Sequence, residues 1–73
     1  MDIVKEILKE DFHAVNFEVD GVHYCFSGWW MLDCDNGDEK IYDSKEEFLY
    51  DPIFNGKTIS EANVENIDLE FFP

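Results

Sequence analysis

The densest run of oxygen ligands in this chain is Asp33-Cys34-Asp35-Asn36-Gly37-Asp38-Glu39, and calcium is the chemistry it suggests. A helix-flanked calcium loop takes oxygen donors from alternate positions, a glycine at the sixth and a bidentate glutamate at the twelfth. With Asp33 at the first position, Asp35 fits the third, but Gly37 falls at the fifth and Ser44 stands at the twelfth. No other start repairs both faults. The run reads instead as the acidic tip of a hairpin.

Zinc would draw on His13, His23, Cys25 and Cys34. His23 and Cys25 are two apart on a strand and share a face, and the expected hairpin register puts Cys34 on that face too. His13 precedes the strand and does not converge with them. Cys25 and Cys34 are too far apart for a C-x-x-C knuckle or redox motif, and a single pair is a poor disulfide framework, so both thiols are expected reduced. Cys25 beside His23 offers a thiol and an imidazole, but a field of carboxylates raises a thiol pKa and suppresses the reactive thiolate. His23 is expected to face Glu18, and Cys25 to pack as a small hydrophobe. No glycine-rich phosphate loop or nucleophile elbow is present. The expectation is a non-enzymatic chain with no catalytic residues, no metal and no cofactor.

Charge narrows the partners. Eighteen carboxylates stand against five lysines and no arginine in 73 residues, a formal net charge of −13. Nucleic acids and anionic lipids are bound through Lys and Arg that displace counterions, so direct contact with either is disfavoured. The chain is not an acidic disordered tail, because 45% of its residues are apolar and its aromatics are spread along its length. Seventy-three residues make one small domain, 1–73, near the lower size limit for unaided folding. No apolar run approaches a membrane span and no charged-then-apolar leader opens the chain, which points to the cytoplasm.

The elements that must carry these residues can be read in turn. Residues 2–10 predict a helix: Ile3, Val4, Ile7 and Leu8 make one stripe and Asp2 sits at the N-cap. Asp20-Gly21 predicts a two-residue type I′ hairpin pairing Val19 with Val22, Glu18 with His23, Phe17 with Tyr24 and Val15 with Phe26. One face then carries Val15, Phe17, Val19, Val22, Tyr24 and Phe26; the other carries Asn16, Glu18, His23, Cys25 and Ser27. A one-residue slip would scramble that separation. Asn36-Gly37 predicts a second such turn, pairing Cys34 with Glu39, Asp33 with Lys40, Leu32 with Ile41 and Met31 with Tyr42. A turn at Ser27-Gly28 joins the hairpins into a four-stranded meander over about residues 14–43. Capping boxes at Ser44–Glu47 and Thr58–Glu61 predict two short helices, the first ended by Asp51-Pro52. The tail Leu69–Phe72 either docks on the core or presents its aromatics. The fold class is α+β: N-terminal helix, four-stranded antiparallel meander, two short C-terminal helices.

Trp29 and Trp30 are neighbours on a strand and must point to opposite faces. A tight Ser27-Gly28 turn sends Trp29, Met31 and Tyr42 inward. It leaves Trp30, Leu32 and Ile41, beside Cys25, as an apolar island rimmed by acid; a bulge at Gly28 would exchange the two sets. If the helices split between the faces, both are covered instead. The functional expectation is a protein-interaction module that meets a basic protein partner through Trp30, Leu32 and Ile41 with Asp33, Asp35, Asp38 and Glu39. The alternative is a nucleic-acid mimic that blocks a DNA- or RNA-binding protein, as phage-encoded anti-defence proteins do.

Overall fold

The computed structural model describes residues 2–9, 13–28 and 30–70. Helix α1 (Ile3–Lys9) precedes strands β1 (Ala14–Val19), β2 (Val22–Ser27), β3 (Met31–Cys34) and β4 (Glu39–Ile41); helix α2 (Lys45–Leu49) and strand β5 (Val64–Glu70) complete the chain. The strands form one antiparallel sheet in the order β4-β3-β2-β1-β5. The α+β class and the N-terminal helix are as expected, but there is one strand more and one helix fewer.

Asp2 caps α1 through its side chain, which accepts from the Val4 and Lys5 amides at 3.0 and 3.4 Å. Ile3 and Ile7 point into the core. The first hairpin forms in the predicted register throughout, with Asp20 at φ 51° and Gly21 at φ 80°. Both central residues of a type I′ turn need positive φ, and an Asp-Gly pair supplies this at little cost. Val15, Phe17, Val19 and Phe26 are buried as expected, whereas Val22 at the hairpin end is 40% exposed.

The second hairpin slips by one residue. Its pairs are Met31 with Ile41, Leu32 with Lys40 and Asp33 with Glu39, so the expected Asp33–Lys40 and Leu32–Ile41 pairs do not form. The Gly37 amide donates to the Cys34 carbonyl and the Cys34 amide to the Asp38 carbonyl, which makes Asp35-Asn36-Gly37 a three-residue loop. Only Gly37 takes positive φ there; Asn36 spends its side-chain oxygen on the Asp38 amide instead. That is a type I turn with a glycine bulge rather than type I′.

The join between β2 and β3 is also longer than expected. A tight Ser27-Gly28 turn would pair Tyr24 with Met31 and Phe26 with Trp29; instead Tyr24 pairs with Cys34 and Phe26 with Leu32. Trp30 takes φ 58°, an uncommon left-handed conformation for a bulky residue that costs on the order of 1 kcal/mol. Its amide donates to the Ser27 carbonyl and its carbonyl accepts from the Tyr42 amide, and its ring stacks on Phe26 at 6.1 Å. The exchange of faces foreseen for a bulge at Gly28 has therefore taken place for Trp30 and Leu32. Leu32 is 5% exposed in the core, while Trp29 lies outside the described residues.

Half of the capping box at Thr58 forms: the Thr58 amide donates to Glu61 Oε1 at 2.9 Å, but the Glu61 amide bonds the Thr58 carbonyl rather than its hydroxyl, and only a single turn follows. The predicted second C-terminal helix gives way to β5. In β5, Val64, Ile67 and Leu69 pack against the core, and Asn66 at φ 53° forms a bulge that lets Glu65 and Asp68 both keep to the opposite face. The tail is thus docked as far as Glu70; Phe71 and Phe72 lie outside the described residues.

Both helices and the residue 50–63 segment cover one side of the sheet. Phe48 of α2 stacks on Phe26 at 4.1 Å and meets Tyr42 edge-on at 5.4 Å; Phe54 meets Tyr24 edge-on at 5.1 Å. Ser44 caps α2 and accepts from the Glu47 amide at 3.3 Å. No described helix or loop packs on the other side of the sheet.

Candidate protein-interaction face

Pairing alone fixes what that other side displays, since cross-strand partners share a face. One row crosses the whole sheet: Glu39, Asp33, Cys25, Asn16 and Asp68. A second runs through His23, Glu18 and Glu65, and a third through Ser27, Ala14 and Glu70. Glu39, Glu65, Asp68 and Glu70 are exposed; Asn16, Glu18, His23, Cys25, Ser27 and Asp33 are half-buried.

The lysines are elsewhere. Lys5 and Lys9 are on α1, and Lys45 on α2 donates to the Leu8 carbonyl. Lys57 sits in the turn bridged to the core residue Phe54. Lys40 shares the core side with Leu32, lies over the Tyr42 ring and bonds Asp51. All five cations of the chain therefore lie on the helix side, which also holds its own carboxylates. Among the described residues the open face carries carboxylates and no lysine.

Local pairing differs in the same way. On the helix side Asp51 accepts from both Lys40 and Tyr42, and the Lys40 bond leads in holding its carboxyl below the usual value. Burial first, then the Asp51 bond, pushes the Tyr42 hydroxyl well above its ordinary value. On the open face Asp33 and Glu39 are directly opposite each other, as are Glu18 and Glu65. Asn66 relieves the second pair by donating to Glu18. At the hairpin tip His23 Nδ1 lies 3.0 Å from Asp35. Ser27 Oγ and Asp33 Oδ1 are out of solvent contact with no hydrogen-bond partner.

The predicted apolar island does not assemble. Leu32 is core and Trp30 packs half-buried against it, whereas Ile41, 73% exposed, pairs with Met31 on the open side. Of the predicted acidic rim, Asp33 and Glu39 are on the open face, and Asp35 and Asp38 are exposed or bonded at the tip. Sequence reasoning missed Glu65, Asp68 and Glu70 because β5 was not foreseen. The alternation Ile67-Asp68-Leu69-Glu70 was the available signal.

Cys25 and Cys34 are both free, and they stand on opposite sides of the sheet: Cys25 pairs with Asp33, and Cys34 with Tyr24. The zinc arrangement that shared one face is thereby corrected. Among the described residues no group of three or more His, Cys, Asp or Glu is arranged to hold a metal. Burial, then Glu70 and Asp33, raises the Cys25 thiol above its ordinary pKa, which disfavours a reactive thiolate.

No family model, no curated protein and no solved structure matches this chain. Its reading rests on its own geometry. Among the described residues no helix is long and apolar enough to cross a membrane.

Proposed function

We propose that this chain is a small, non-enzymatic protein-interaction module whose open sheet face binds a basic protein partner. The single observation that carries the reading is the exclusion of all five lysines from a face that displays Glu18, Asp33, Glu39, Glu65, Asp68 and Glu70. What segregates is the lysines: carboxylates stand on both sides of the sheet, and the side without a lysine is left negative throughout its described residues. A one-sign surface steers an oppositely charged partner and raises its association rate, and it repels nucleic acid and anionic membrane. The binding surface moves accordingly: Leu32 drops out, and Asp33 and Glu39 with the β1 and β5 carboxylates replace the Trp30-centred island.

The same segregation favours one sharper version, in which the basic partner is a DNA- or RNA-binding protein and this chain occupies its nucleic-acid groove. Nucleic acid then competes for the partner.

The test is capture from the source cell with three baits: wild type, an open-face variant (Asp33→Asn, Glu39→Gln, Asp68→Asn) and a helix-side variant of equal charge change (Glu6→Gln, Glu46→Gln, Glu47→Gln). A specific partner is lost with the open-face variant and retained with the helix-side variant. Equal loss with both, or retention with both, contradicts the proposal. Release by added nucleic acid supports the sharper version.

A further inference from the structure

On that reading of the open face, its relief suggests the shape of the partner. Carboxylates lie to either side, with Asp33 and Glu39 on β3 and β4, and Glu65, Asp68 and Glu70 on β5. Between them, β2 presents His23, Cys25 and Ser27, and β1 presents Ala14 and Asn16, with Glu18 the one acid in the strip. These central side chains are short and mostly uncharged, and each is half-buried or buried. The face is a shallow strip, with Glu18 as its single acid, between two acidic rails.

Its width is set by strand spacing. Three strand-to-strand steps separate Asp33 on β3 from Asp68 on β5, which at ~4.8 Å per step is about 14 Å. An α-helix with its side chains is about 10–12 Å across. A helix laid along β1 and β2 fills the strip and brings both of its flanks within reach of a rail. An extended chain, at ~4.8 Å between neighbouring backbones, can lie against one rail only. The strip runs for the six residues of β1 and β2, about 20 Å, or roughly 14 residues of helix.

We infer that the open face is a seat for a basic α-helix whose two flanks carry Lys or Arg, one row against Asp33 and Glu39 and the other against Asp68 and Glu70.

The experiment uses two synthetic peptides on the full chain. One is a side-chain-stapled Lys/Ala helix about 14 residues long; the other has the same composition with alternate D-residues, which keeps the charge and forbids the helix. Affinity is read by fluorescence anisotropy at low salt, and location by amide chemical-shift changes. The expected result is at least ~10-fold tighter binding of the helical peptide, with shifts centred on Asn16, Cys25 and Ser27. Asp33→Asn and Asp68→Asn should each weaken it roughly 3-fold, and Glu6→Gln should not. Equal affinity of the two peptides for the open face overturns the helix inference and leaves the basic-partner reading standing. Shifts confined to α1 and α2, or no binding by either peptide, overturn both.

Discussion

The two sides of this sheet are built from the same strands and obey opposite rules. The helix side is an aromatic core in which Phe17, Phe26 and Phe48 have no solvent exposure, and its buried phenol is answered by Asp51 and Lys40. On the open side like charges are set opposite one another across strands, and two oxygens go without partners. Paired like charges cost about 0.2–1 kcal/mol each, a modest but real fraction of the stability of a domain this small. The difference teaches that the helix side carries the packing and paired charges that hold the fold, while the open side contributes little to it, as the proposed interaction face requires.

The largest way to sharpen that contrast is to truncate the core. Phe48→Ala removes a ring in contact with Phe26, Tyr42 and Phe54, and should cost about 3–5 kcal/mol in urea denaturation. Asn16→Ala at the centre of the open face should change stability by less than about 0.5 kcal/mol. Comparable losses at the two positions would erase the distinction.

A medium effect is expected at the Tyr42–Asp51–Lys40 cluster, and it depends on pH. The Asp51 carboxyl is held below its ordinary value in the folded state, so its contribution is full above the ordinary carboxylate range and is lost as pH falls through the lowered value. The Tyr42 hydroxyl is raised above 10.0, so its contribution is full below that pH and is lost as pH rises beyond it. Asp51→Asn should cost about 1 kcal/mol at neutral pH and flatten the acid limb of the stability profile. Tyr42→Phe should flatten the alkaline limb. An unchanged profile in either variant would show that the cluster is not coupled to folding.

These contrasts also explain what could be read from the residues alone. The first hairpin was legible in full because Asp20-Gly21 fits one turn type and a slip would have buried Glu18. Asn36-Gly37 serves two turn types, and the choice turned on the Asn36 side chain reaching the Asp38 amide, which a dipeptide pattern does not reveal. The β2–β3 connection hid its length because Trp30 adopts a backbone conformation seldom given to a bulky residue. Strand β5 pairs with β1 from the far end of the chain and is interrupted at Asn66, so its alternation is short and its partner non-local. Half of the open face, Asn16 through Ser27, followed from the first hairpin; the half on β5 did not.

The smallest effect is opposite in sign to the first. Asp33→Asn removes the like-charge pair with Glu39 and should raise stability by about 0.3–1 kcal/mol at low salt. The gain should disappear at about 1 M salt, where the Debye length is about 3 Å. A loss of stability would mean that Asp33 is structural rather than displayed for a partner.

The most direct test of the segregated face needs no partner. Amide relaxation enhancement by a cationic spin-labelled cosolute, divided by that from its neutral analogue, maps where positive charge accumulates on the surface. The ratio should be highest at the amides of Asn16, Cys25, Asp33 and Asp68 and lowest along α1 and α2 near Lys5, Lys9 and Lys45. A ratio uniform over both sides would contradict the account, leaving the acidity a matter of solubility alone.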